Sequence, residues 1–264
     1  MSNITLNICE NHGKPKISIT KNIVSVVYQD FYQPGDFITV TCDTPNTYLI
    51  LQLDDAIGES LVYYKEGTLS FEIPFGEKKS CYSPKSFSGN YHLLTVREAF
   101  PEEIHAYRNL ALNKYDVHNN ASCFPHAVAN VETRGESVFA AKNAINGNLE
   151  NHSHGIWPYE SWGINQNPDA SLRILLGRTV NIEKLALTIR ADFPHDSWWT
   201  SVTVHFSDDT SYVWNLTKTD QRQWLSIHKT EIQWVQLSNL KKADDPSPFP
   251  ALSQFEIFGT ESYQ

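Results

Sequence analysis

A chain of 264 residues is long enough for one large domain or two of ordinary size, each with a core of its own. A formal net charge of -9 and a pI near 5.5, with no local cluster of Lys and Arg, argue against nucleic acid as a partner. No apolar run is long enough to cross a bilayer, and the start, Met1-Ser2-Asn3-Ile4-Thr5-Leu6, lacks the basic and apolar stretches of an export signal. As written, the chain reads as cytoplasmic, and as extracellular if a leader has been removed.

Aromatic residues make up 12%, and Thr, Val and Ile are frequent beside a single Met, which favours strands and an all-β fold. The four cysteines, Cys9, Cys42, Cys81 and Cys123, lie far apart with no CxxC spacing, so they read as buried free thiols.

In chain order, strand-like runs occupy residues 16–20, 23–28, 37–41, 48–53, 69–73 and 91–96. Turn residues separate them: Pro34-Gly35-Asp36, the stretch 43–46, and Gly58. This spacing predicts an antiparallel β-sandwich over residues 1–107, in which no family motif stands out. Residues 97–107 are the most helix-compatible, with Pro101 at a first-turn position and Glu102 and Glu103 after it, and they read as a short linking helix. In residues 108–264, strands are expected at 171–176, 182–189, 201–206, 212–216 and 232–237, with Asp208-Asp209-Thr210 as a hairpin turn.

Two segments stand out in this second half. Ala144-Ile145-Asn146-Gly147-Asn148 is a tight polar turn, and Phe255-Glu256-Ile257-Phe258-Gly259 sets one carboxylate in an apolar, strand-like run. With Arg108-Asn109-Leu110-Ala111 and Leu187-Thr188-Ile189-Arg190, they resemble the discoidin or coagulation-factor C-type family of galactose-binding-like domains, which includes many carbohydrate-binding modules. The resemblance covers roughly residues 108–261. It implies a jelly-roll β-sandwich and a lectin-like, carbohydrate-binding role.

Oxygens from Asn143, Asn146 and Asn148 facing Glu256 would suit a hard cation, and a structural calcium ion clasping the last strand to the loop is expected. The family commonly has Asp where Asn146 stands and a Thr or Ser a few positions on, for which Ser153 or a backbone carbonyl is the counterpart here. Fewer charges predict weaker binding, and the alternative is a plain Asn-Gly turn held by hydrogen bonds.

The loop from Asn151 to Trp162 mixes imidazole, amide and indole, and the loop Arg190-Ala191-Asp192-Phe193-Pro194-His195-Asp196-Ser197-Trp198-Trp199 is equally dense in polar and aromatic groups. A pyranose offers a C–H face to an aromatic ring and a rim of hydroxyls to polar side chains, which is the chemistry such loops supply. In sugar-binding relatives of the family, an Arg at the end of this strand and a His from the loop after the Asn-Gly turn grip the sugar, and Arg190 and His154 match those positions. Trp157, Tyr159, Asp192, His195, Trp198 and Trp199 complete the expected pocket, while Trp162 is assigned to the core. The bland reading is an Arg190–Asp192 surface pair with Trp198 and Trp199 buried between the domains.

Two enzyme readings compete. His152, His154, His195 and Asp196 could converge on a transition metal, and Glu160 near Asp192 could form an acid/base pair for glycosidic chemistry. A protein-interaction module using the same loops is a third possibility. The connector Lys241 to Pro250 reads as a plain loop, with a rim of the sugar pocket as its alternative. Non-catalytic glycan binding by the C-terminal jelly roll is the expected function.

Overall fold

The computed structural model describes residues 2–191 and 197–262. Two antiparallel sheets build the first half. One runs β2 (Pro15–Lys21), β1 (Ile4–Cys9), β4 (Phe37–Cys42), β7 (Leu69–Glu72), and the other runs β10 (Cys123–Phe124), β6 (Ser60–Tyr64), β5 (Thr47–Gln52), β8 (His92–Glu98), β3 (Ile23–Tyr28). Alternation decides which face is buried: in β7, Leu69 and Phe71 point inward while Ser70 and Glu72 stay exposed. Leu6, Ile8, Ile38, Val40, Leu49, Leu51, Val62, Leu94 and Val96 form the interior of this sandwich. Each such side chain contributes about 1.5–3 kcal/mol through burial.

The predicted linking helix is shorter than expected. β8 continues through Glu98, and α1 spans only Pro101–His105, with Glu103 accepting the Phe100 backbone N–H at 2.7 Å and pairing with Arg97. The strand pattern misses β1 and β6, both of which are internal to their sheets.

The second half is one eight-stranded antiparallel sheet that bends over its own core. β9 (Arg108–Asn109) pairs with β17 (Ala251–Glu261), β11 (His126–Ala129) pairs with β13 (Leu172–Arg190), and the remaining order is β12 (Trp162–Gly163), β17, β13, β16 (Gln223–Lys242), β14 (Trp199–Phe206), β15 (Ser211–Asn215). Residues 171–176 and 182–189, expected as separate strands, belong to the single strand β13, whose register shifts between Leu175 and Val180 let it turn from one layer to the next. Gly259 permits the tight pairing of β17 with β13, since a Cβ there would lie 1.9 Å from the Asn181 carbonyl oxygen. Trp162 and Trp199 pack in the interior with ring centroids 6.5 Å apart.

The segment between the halves stitches their cores together. Leu110 and Ala111 join the C-terminal core, whereas Tyr115 and Cys123 insert into the N-terminal one, where the Tyr115 hydroxyl donates to the Gly58 carbonyl at 2.7 Å. Glu261, at the end of β17, accepts the Tyr48 hydroxyl of β5 at 2.7 Å and pairs with Arg178 and Arg108. The four cysteines are free thiols, and burial raises the pKa of Cys9, Cys81 and Cys123.

Candidate functional site

A cavity of about 320 Å³ opens at one end of the jelly roll, where four loops meet. The first wall is the pair of short 3-10 turns Thr133–Gly135 and Ser137–Phe139 that follow β11. Arg134 adopts φ 53°, its guanidinium lies 5.5 Å from the Phe139 ring centroid, and it makes a two-pronged pair with Glu136. The second wall is the turn after β12, where the Asn167 N–H closes on the Ile164 carbonyl at 2.9 Å. That geometry forces Asn165 (φ 49°) and Gln166 (φ 58°) into the left-handed region, a conformation that asparagine tolerates and glutamine resists. Gly163 lets the two walls touch: a Cβ there would sit 2.6 Å from Thr133 Oγ1, whose oxygen accepts the Asn165 N–H at 2.9 Å.

The third wall is Ser247 to Ala251, where Pro248, exposed Phe249 and Pro250 lead into β17. His154 also lines the cavity, its ring 6.4 Å from that of Tyr159 in an edge-on arrangement. The cavity therefore pairs an apolar lining (Phe139, Ile164, Phe249 and the prolines) with a rim of imidazole, amides and guanidinium. Such a surface can stack on an apolar ring face and exchange hydrogen bonds with groups around its edge.

Of the residues expected in a sugar pocket, His154 alone lines this cavity among those described. Tyr159 packs beneath it against the small cluster of Cys81, Val138 and Phe139, and Trp157 is half-buried in its own loop. Arg190 is 1% exposed, and its Nη1 donates to the Tyr159 carbonyl at 2.8 Å, so it holds the loop from below. Trp199 is buried against Trp162, and Trp198 packs on the same core. Asp192, His195 and Asp196 lie outside the described residues. The connector before β17, read as a plain loop, supplies Phe249 and a whole wall. Arg134, Asn165 and Gln166 carry no sequence motif, because their placement depends on turn conformation.

The loop carrying His154 is anchored at both ends. The Asn151 side-chain amide donates to Ser253 Oγ at 2.8 Å, and the His152 N–H donates to the Pro158 carbonyl at 2.8 Å. Asn148 donates to the buried carboxylate of Glu160 at 2.6 Å, and burial raises the Glu160 pKa despite that bond.

The expected calcium ligands divide between two networks. Glu256 gives both oxygens to Arg222, at 2.7 and 3.0 Å, and hydrogen-bonds none of the three asparagines. Gln254, two residues earlier on β17, reaches the Asn-Gly turn: its Nε2 donates to the Asn143 carbonyl (2.7 Å), Asn146 Oδ1 (2.8 Å) and its neighbour's Ser253 carbonyl (2.6 Å). Its Oε1 accepts the Gly147 N–H at 2.9 Å, which fixes the amide's orientation. A donor nitrogen thus lies among the oxygens that would ligate a cation, and the residues as arranged do not fit calcium. Asn143, Asn146 and Asn148 close the loop by hydrogen bonding. Among the described residues, no three His, Cys, Asp or Glu side chains gather as a metal-holding group.

No family model matches the sequence, and no curated protein matches it. Similar solved structures are carbohydrate-binding modules and lectin domains. Chitosan-binding module 1 from a chitosanase/glucanase of Paenibacillus sp. IK-5 is 19% identical, with a TM-score of 0.40, over 57% of this chain and 98% of its own. The family 32 carbohydrate-binding module of C. perfringens NanJ, in complex with galactose, is 13% identical with a TM-score of 0.42, over 58% and 99%. The lectin domain of Lectinolysin, complexed with Lewis B antigen, is 17% identical with a TM-score of 0.40, over 58% and 96%.

Proposed function

We propose that the protein binds a carbohydrate, without cleaving it, in the cavity between the 133–139 turns, the 164–167 turn and the 247–251 wall. The observation that carries this reading is the combination of an exposed Phe249 and prolines with the polar rim of His154, Arg134, Asn165 and Gln166 around one concave site. A pyranose C–H face stacks on Phe249, and its hydroxyls meet the rim. The strained Gln166 conformation presents its amide there, and backbone strain retained at a ligand site is a recurrent pattern.

Binding is favoured over hydrolysis because glycosidic cleavage uses a pair of carboxyl groups flanking the bond, and no described lining residue is Asp or Glu. Glu160 is committed to Asn148 and Asn146. A glycan array probed with the full chain, followed by incubation of each hit and product analysis, tests both parts. Retention without new products supports binding. Release of free sugar would make the protein a glycan-active enzyme, and an array without hits would leave the protein-interaction reading.

A further inference from the structure

A second, larger cleft of about 540 Å³ lies where β7 of the first half faces segments 117–120 and 135–142 of the second. Of the described cations that line it, Lys142 is the one without a carboxylate partner, and Glu77 is a carboxylate held by neutral donors. Lys78 bonds Glu72 at 2.7 Å, His118 faces Glu132 at 2.7 Å, and Glu77 accepts both the N–H (2.6 Å) and the hydroxyl (2.8 Å) of Ser137. Lys142, partly buried in the 3-10 turn Ala141–Ile145, has no carboxylate within ion-pair distance among the described residues. Its ammonium donates to the Tyr82 hydroxyl at 2.7 Å. An ammonium has three N–H donors, and a neutral phenol satisfies one of them without balancing the charge. Withdrawing such a cation from water is costly unless an anion completes its surroundings.

We propose that Lys142 and Tyr82 bind the carboxylate of an acidic sugar residue, such as a uronic acid, in the cleft between the two halves. One carboxylate matches the single ammonium that has no carboxylate at ion-pair distance, whereas a phosphate dianion would bring twice the charge into a cleft that already holds Glu72 and Glu77. The hydroxyls of Ser70 and Thr68 and the amide of Asn119 line the remaining wall and suit a hydroxylated ring. The sugar class of this ligand rests on the proposed function. The anion site itself rests on the Lys142–Tyr82 pair.

The test titrates the full chain with glucuronate, glucose, acetate and a short peptide bearing a free C-terminal carboxylate at constant ionic strength, by calorimetry or by NMR of the lysine side chains. Glucuronate should bind more tightly than acetate or glucose and shift the Lys142 resonances, and Lys142→Met should weaken it roughly tenfold or more. Tyr82→Phe, which keeps the ring and the packing, should weaken it to a lesser degree and serves if Lys142→Met fails to fold. Glucuronate binding no tighter than acetate would overturn the proposal, as would equal affinity in wild type and Tyr82→Phe together with unmoved Lys142 resonances. Tighter binding of a peptide through its C-terminal carboxylate would overturn it in favour of a peptide ligand. Neutral-sugar binding that survives Lys142→Met belongs to the first cavity, so the two readings fail separately.

Discussion

Gln254 Nε2 lies 2.8 Å from Asn146 Oδ1, so the last strand clasps the Asn-Gly turn through an amide donor where a cation would otherwise bridge oxygens. Chelation is therefore expected to leave the thermal midpoint unchanged. Gln254→Ala, which orphans the Gly147 N–H and the Asn143 carbonyl, should cost about 1–3 kcal/mol. Gln254→Glu replaces the donor with a carboxylate, and its midpoint should rise on adding calcium. A wild-type midpoint that falls with chelator would show that a cation closes the clasp.

Glu261 joins the two halves by accepting from Tyr48 while pairing with Arg178 and Arg108. Burial raises its pKa, but the two guanidinium groups overcome burial and hold it below the ordinary glutamate value. A depressed folded pKa means that this stabilisation is complete above the unfolded value, about 4.3, and is lost as pH falls through the folded value. Glu261→Gln removes the charge between two part-buried cations and should cost about 3 kcal/mol at neutral pH, with a smaller difference from wild type in acid. Chemical denaturation at pH 7 and at pH 3 measures both.

Gln166 adopts φ 58° at the cavity rim, and its replacement by glycine removes left-handed strain. Gln166→Gly should raise stability by up to about 1 kcal/mol while weakening sugar binding through loss of the amide. Paired melting and affinity measurements check the opposite signs.

Arg190 is buried and bonds the Tyr159 carbonyl, so Arg190→Ala should lower the melting temperature before it changes selectivity. Trp214, buried in β15, should behave in the same way when truncated, losing roughly 3–5 kcal/mol. An Arg190→Ala protein with wild-type stability and no glycan affinity would place Arg190 in the binding surface.

What the sequence made legible follows from periodicity and local chemistry. Alternating runs such as 37–41 and 201–206 announced the strands observed at Phe37–Cys42 and Trp199–Phe206, because one face of each had to be buried. Trp162 read as core, and it is buried. The merger of two expected strands into β13 was not legible, since a register shift within a strand leaves no compositional mark. His154 was visible as an imidazole in a polar loop, whereas Phe249 sat among prolines in a segment that resembles any connector. Glu256 drew notice as a carboxylate in an apolar strand, but the side chain on the Asn-Gly turn is the neutral Gln254, and only the fold of β17 against that loop reveals it.

The most direct measurement of the central claim is calorimetric titration of an array-identified glycan into wild type, Phe249→Ala and His154→Ala, with Tyr212→Ala on the remote strand β15 as control. Loss of the stacking ring should weaken binding about tenfold or more, loss of the imidazole by a similar factor, and the control should match wild type. Wild-type affinity in both Phe249→Ala and His154→Ala would contradict the assignment of this cavity as the carbohydrate site.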